Sequence, residues 1–249
     1  MSDVGQIERS TQNRVIRLFQ ERLDYDNLGD WQDRPDNKNV EEELLQQWME
    51  QQGYERSLIN NAVHQLSRVA GIRMDDLYDS NKRVYRMLRY GVDVRPEKGA
   101  KKETVHFIDW EHPENNHFGV AEEVSVKGNN NKRPDIVLYV NGIAVGVIEL
   151  KRSKVSVEEG IRQNLDNQSN HFIKPFFNTM QLVMAGNDSV GLRYGTTQTS
   201  DRFYQEWKEQ TDQEFDYVLD KHLVQLCNKE RLIEIMHDFI LFDGGNKIA

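Results

Sequence analysis

Three charged side chains near the middle of this 249-residue sequence have the types and spacing to act on a phosphate ester. In the stretch Arg133-Pro-Asp-Ile-Val-Leu-Tyr-Val-Asn-Gly-Ile-Ala-Val-Gly-Val-Ile-Glu-Leu-Lys151, Asp135 opens one β-branched run and Glu149 and Lys151 close the next. The two-residue period of a strand sends Glu149 and Lys151 to the same face. Two neighbouring carboxylates suit Mg²⁺, a hard cation that takes oxygen ligands and keeps several waters. Such a cation polarises a phosphodiester and activates water, while the Lys151 ammonium orients that water or offsets charge in the transition state. The same residues also suit a solvent-facing hairpin with a cross-strand ion pair, and on the motif alone that reading ranks first. Ile148-Glu-Leu-Lys shifts the balance, because it interrupts a buried-looking strand with two charges, and burying charge without a partner is costly.

The elements around these residues must bring Asp135 and Glu149 together. Asn141-Gly142 is a strong hairpin signal between the runs 135–140 and 143–150. A tight two-residue turn pairs Val140 with Ile143 and Asp135 with Ile148, which leaves the two carboxylates on opposite faces. The sequence therefore predicts a bulged connection at Asn141-Gly142, with Gly142 left-handed, or an Asp135 displaced by twist. A helix is predicted over about 156–168, with Val157, Ile161 and Leu165 on one side and Ser156, Glu159, Gln163 and Asn167 roughly opposite. Gln163 is placed to face a substrate or simply solvent.

Upstream, helical periodicity covers 3–24, and two amphipathic stripes end at Gly53 and Gly71. A short helix over 81–90 stops at Gly91, while the Asp/Asn/Gly/Pro-rich stretch that follows residue 24 reads as loop. Strand patterns follow at 105–107 and 118–126, then, beyond the hairpin and its helix, at 181–185 and 190–194. The tail, about 213–242, reads as two helices. This order predicts an α/β fold with a mixed sheet between helical layers.

Composition sets the outer bounds: 37% hydrophobic and 29% charged residues describe a chain able to bury a core, and no run is apolar enough to span a membrane. The first ten residues are polar and offer no signal-peptide core, and the lone Cys227 excludes an internal disulfide, so a cytoplasmic setting is expected. A net charge of −9 argues against coating nucleic acid by bulk electrostatics. Locally the balance reverses: residues 82–102 hold eight basic side chains against Asp93 and Glu97, and Lys127, Lys132, Arg133, Lys151, Arg152 and Lys154 bracket the candidate site. His106, His112 and His117 lie near Asp109 and Glu111 but match no zinc spacing, Cys227 falls in an apolar helical pattern, and the four tryptophans are scattered as packing residues.

NVEEELLQQWMEQQGY, VYRMLRYGVDV, VHFIDWEHPENNHFGVAEEVSVKG, RPDIVLYVNGIAVGVIELKRS, VEEGIRQNLDNQ and QLVMAGNDSVGLRYGT together resemble the N-terminal region of the R (restriction) subunit of type I restriction-modification enzymes. The resemblance runs over nearly the whole chain. It implies a PD-(D/E)xK restriction-endonuclease-like core, a mixed central sheet flanked by helices, with additional N- and C-terminal helices. It further implies Mg²⁺-dependent cleavage of double-stranded DNA by Asp135, Glu149, Lys151 and Gln163, with Asp135 and Glu149 as metal ligands. Gln163 matches the Gln of the family's Q-x-x-x-Y element, but Asn167 stands where many members have Tyr. An upstream helix glutamate often joins the metal in that family; Glu41 is the match here, and an ordinary helix N-terminal carboxylate is the other reading of it. The division expected is an N-terminal helical region over 1–100, the nuclease core over 101–200 and a C-terminal helical segment over 201–249. The family's domain works beside an ATP-driven motor and with modification and specificity subunits. No GxxxxGK[ST] loop occurs here, so ATP binding is expected only of a full-length subunit. The alternative function is a DNA-binding or assembly module whose nuclease site is vestigial.

Overall fold

The computed structural model describes residues 3–249, with side chains from Arg9 onward, so Val4 and Ile7, the first apolar positions of the helical period expected over 3–24, have side chains outside that description. The elements, in chain order, are α1 (Asp3–Leu23), β1 (Asp26–Asp30), α2 (Glu42–Gln51), α3 (Arg56–Ala70), α4 (Leu77–Tyr90), β2 (Val92–Val94), β3 (Glu103–Val105), β4 (Phe118–Glu122), β5 (Ile136–Val140) and β6 (Ile143–Leu150). They continue with α5 (Val157–Asn167), β7 (Leu182–Asn187), β8 (Gly191–Gly195), β9 (Gln205–Glu206), α6 (Val218–Leu226), α7 (Lys229–Glu234), β10 (Leu241–Asp243) and β11 (Asn246–Ile248). Among the described residues no helix is long and apolar enough to cross a membrane.

Seven strands form one mixed sheet in the order β1-β4-β5-β6-β7-β8-β9. Its outer pair β1–β4 and its inner pair β6–β7 are parallel, and the remaining neighbours are antiparallel. One face carries Ile136, Leu138, Val140, Ile143, Val145, Ile148 and Leu150 into a core shared with α1, α2, α3, α6 and α7. The other carries Val137, Tyr139, Ala144 and Val147 against Val157 and Ile161 of α5 and Phe176 and Phe177 of the turn beyond it. Every residue of β5 and β6 is buried, so both runs are apolar almost throughout instead of alternating.

The hairpin differs from its expected form in one respect that decides the site. Asn141 and Gly142 make a tight two-residue connection, with φ of 52° and 79° and Val140 opposite Ile143. The bulge lies further along, inside β6: Tyr139 pairs with Ala144 but Leu138 pairs with Gly146, which leaves Val145 without an opposite residue on β5. The Val145 carbonyl accepts instead from Gln181 N at 2.7 Å. Past the bulge the alternation is inverted, so Val147 joins the α5 face two residues after Val145 faced the other core.

Other expectations shift more modestly. The stretch after residue 24 is not wholly loop, since β1 pairs there in parallel with β4. The strand at 118–126 stops at Glu122, and β3 pairs with β2 in a small sheet of its own. The tail adds a π-helical turn, Ile235–Phe239, and the β10–β11 hairpin to its two helices. The sheet takes β1 from the first hundred residues and β9 from beyond residue 200, and a single core runs from Val15 to Met236. The stretches 1–100, 101–200 and 201–249 thus all contribute to the seven-stranded sheet or to the larger of its two flanking cores.

Gly142 closes the hairpin against the start of α2, where a Cβ would stand 2.7 Å from the Glu41 carbonyl and 2.9 Å from Leu45 N. A left-handed backbone and a backbone clash act together at this position. Gly142→Ala is expected to lower the unfolding free energy by about 2 kcal/mol or more. Urea denaturation measures this, and a parental midpoint would contradict the close approach.

Candidate active site

Asp135 and Glu149 meet because of the inverted alternation. With Ile136 opposite Ile148, the next step of the register sets Asp135 opposite Glu149, on the face covered by α5. Asp135 immediately precedes β5, and its Oδ2 accepts from Leu150 N at 2.7 Å, which holds the carboxylate across the strand pair. Glu149 is completely buried. Gln163 of α5 donates from Nε2 to Glu149 Oε2 at 2.6 Å, and its Oε1 accepts from Lys151 Nζ at 2.7 Å. Asn167, one turn on and also fully buried, donates from Nδ2 to Glu149 Oε1 at 3.4 Å. Ser156 caps α5 by accepting from Glu158 N, which fixes where the helix begins. Gly160 lets α5 lie against the strands: a Cβ there would stand 3.0 Å from Ala185 Cβ and 3.6 Å from Glu149 Cβ.

Burial dominates the electrostatics. It pushes the Asp135 carboxyl up to about 6, against the pull of the Leu150 N–H and the Lys151 ammonium. It drives Glu149 well above the carboxylate range, and the neighbouring Asp135 charge adds to this. The two carboxyls lie close enough that the charge of one opposes ionisation of the other. Such a pair of oxygen donors suits a divalent cation as well as a proton.

The donor set fits such an ion. It consists of oxygen atoms only, and the buried Asn167 Oδ1 beside Glu149 has no hydrogen-bond partner. No cluster of three or more His, Cys, Asp or Glu side chains among the described residues is placed to bind metal. Asp135 and Glu149 are the carboxylates that could hold a hard divalent cation here.

Asp135, Glu149, Lys151 and Gln163 thus come together, whereas Glu41 does not. Its backbone N–H donates to the Gly142 carbonyl, at the hairpin's opposite end. Six residues of β6, 143–148, separate Gly142 from Glu149, roughly 20 Å of strand. The Glu41 carboxylate accepts from Arg34 Nη2 at 2.5 Å and Lys38 N at 2.9 Å, so the helix N-terminal reading holds and the metal-ligand expectation is corrected.

Sequence reasoning missed Gln12. Its buried amide reaches from α1 to Glu122 Oε2 at 3.2 Å and to the Asp135 carbonyl at 3.5 Å, bringing α1 to the rim of the site. The available signal was the polar pair Thr11-Gln12 just before Val15, Ile16 and Phe19 in the first apolar stripe. The histidines are occupied separately: His117 Nε2 lies 2.9 Å from Asp26 Oδ2, His112 lies 3.6 Å from Glu114, and Asp109 caps its own loop. Cys227 is buried and its thiol is pushed up to about 12, so it is no nucleophile.

The sequence matches the family described as type I restriction enzyme R protein N terminus over residues 6–202. Among its curated relatives, the type I restriction enzyme HindI endonuclease subunit of Haemophilus influenzae is 26% identical over 181 residues, covering 68% of this chain and 17% of that protein. A Methanocaldococcus jannaschii protein, provisionally named type I restriction enzyme MjaVIIIP endonuclease subunit, is 29% identical over 163 residues, covering 62% of this chain and 15% of the relative. The chain therefore spans less than a quarter of the length of the relatives it matches. With a family match over well more than half of its length, a mixed sheet between helical layers and a clustered Asp-Glu-x-Lys set, the chain belongs to the type I restriction enzyme R protein N-terminal family.

Proposed function

We propose that this chain is the Mg²⁺-dependent nuclease domain of a type I restriction enzyme and cleaves the phosphodiester backbone of double-stranded DNA. The observation that carries this reading is the hydrogen-bonded run Lys151–Gln163–Glu149 beside Asp135. A solvent-facing ion-paired hairpin would not need it, because Glu149 is completely buried and Lys151 is held by an amide and not by a carboxylate. The names of the relatives, endonuclease subunits of restriction enzymes, support the same substrate class. Within such an enzyme, modification and specificity subunits would be its partners and ATP would serve a motor elsewhere in the subunit.

Asp135 and Glu149 would hold the cation, which when bound supplies Lewis-acid polarisation of the scissile phosphate. The chain's own residues do the rest. Gln163 fixes the Glu149 carboxylate with one end of its amide and the Lys151 ammonium with the other, so acid and base keep a set separation. Lys151 keeps two further N–H donors, which can orient the attacking water and offset charge on the phosphoryl oxygens. Asn167 restrains the second Glu149 oxygen.

Calorimetry with Mn²⁺ on the parent chain, Asp135→Ala and Glu149→Ala tests the metal site. Binding lost in both variants is the expected result, and binding indifferent to both changes rejects the proposal. Lys151→Ala is expected to retain metal affinity while supercoiled-plasmid cleavage falls at least about a hundredfold, in line with the loss of one charge-stabilising donor. Unchanged cleavage would favour the vestigial module.

The raised Asp135 carboxyl has a stability consequence of definite sign. Its folded value, about 6, lies above the ordinary carboxylate value, so the folded metal-free chain binds the extra proton. The stability it contributes is complete below about pH 4 and is lost as pH rises through about 6. Added Mn²⁺ should therefore raise the melting temperature more at pH 7.5 than at pH 5. Equal stabilisation at the two pH values, seen by calorimetric melting, would contradict this.

A further inference from the structure

The loop between β4 and β5 is built far more firmly than a connection needs to be. Val126 and Lys132 form an antiparallel bridge, with backbone bonds of 2.8 and 3.2 Å. Gly128 N donates to Asn131 Oδ1 at 3.2 Å, closing the tip. The amides of Asn129 and Asn130 donate to the carbonyls of Asn170 and His171, at 2.7 and 2.8 Å, and Asn129 N donates to the Phe172 carbonyl at 3.2 Å. Gly128 is pressed so closely to this anchor that a Cβ would stand 2.3 Å from the Phe172 oxygen. The Lys132 ammonium lies 4.0 Å over the Phe172 ring.

Both ends of this arrangement lead into the active site. Lys132 is three residues before Asp135 and is one of the cations that act on Glu149. The anchor, 170–172, follows directly on α5, whose Gln163 and Asn167 hold Glu149. The loop is thus a rigid projection beside the carboxylate pair, with the side chains of its tip exposed. Its charges are unequally committed. Lys127 is neutralised by Asp36 and Arg133 by Glu123, each at 2.7 Å, whereas Lys132 makes no ion pair among the described residues. Arg152 and Lys154, on the segment between β6 and α5, likewise make none among the described residues. Cations with no ion-pair partner among the described residues therefore precede Asp135 and follow Glu149 along a chain whose net charge is −9.

The geometry points to residues 126–133 as a preformed finger that grips the sugar–phosphate backbone of duplex DNA beside the scissile bond, with Lys132 as its principal phosphate contact. This rests on the nuclease reading of the neighbouring carboxylates. Its contacts are indifferent to sequence, because an ammonium such as Lys132 meets phosphate oxygens as a point charge, whatever the bases.

Fluorescence anisotropy of two duplexes of unrelated sequence, titrated with the full chain in Ca²⁺ at several salt concentrations, tests the finger. Lys132→Gln, which keeps a stem over Phe172, is expected to reduce the slope of log K against log salt by about one, equally on both duplexes. Asn129→Ala/Asn130→Ala is expected to weaken duplex binding several-fold while circular dichroism and Mn²⁺ affinity stay at parental values. Parental affinity and slope in both variants would overturn the proposal, as would a loss confined to one duplex, or a parent chain that binds no duplex. Retained metal affinity in Asp135→Ala would defeat the nuclease reading separately, leaving the finger to stand or fall on the salt slope.

Discussion

One unpaired residue in β6 governs the arrangement of the site. Strand geometry allows only two outcomes for a side chain, one face or the other, and a two-residue turn fixes which partners share a face. With Val140 opposite Ile143, every later pair follows, and Glu149 belongs with the α1 side of the sheet. The extra residue at Val145 reverses this once, and the reversal persists to the end of the strand. It places Ile148 and Leu150 in the larger core and sends Glu149 to α5. Gly146, directly beside the bulge, offers no side chain that would have to be accommodated on the wrong face.

Burial then sets the character of the pair. A carboxyl completely buried on the face that carries Val147, opposite Ala185 of β7, cannot ionise as it would in water, and a second one alongside deepens the effect. The amides of Gln163 and Asn167 answer part of this by donating to the two Glu149 oxygens, and Lys151 adds a positive charge. What remains is a concentrated negative potential that raises the proton affinity of both carboxyls.

Much of this was legible in the residues. Asp135, Glu149, Lys151 and Gln163 were identifiable from their order and from the polar stripe of one helix, and the helices from α2 to α5 follow their apolar periods. The need for a bulge was legible too, because parity forbids a regular hairpin from joining the two carboxylates. Its location was not: Asn-Gly is compatible with tight and bulged turns alike, and the position of Val145 depends on Gln181, a residue 36 places further along, capturing its carbonyl. Glu41 shows the opposite failure, since a glutamate before an amphipathic helix looks the same whether it faces a metal or an arginine. β1 carries Asp, Asn and Gly because it lies at the sheet's edge, so composition marked it as loop.

The way α5 supplies its amides has a consequence for the order of the site. Gln163 and Asn167 stand four residues apart on a helix of eleven, and the second is its final residue. An isolated helix of this length is marginal, so its last turn, which carries one of the two restraints on Glu149, owes its winding to packing: Asn167 is fully buried and Ile173 N donates to the Asn167 carbonyl at 3.1 Å. The order of the carboxylate therefore depends on the turn beyond the helix, and a change made there would reach Glu149 without touching it.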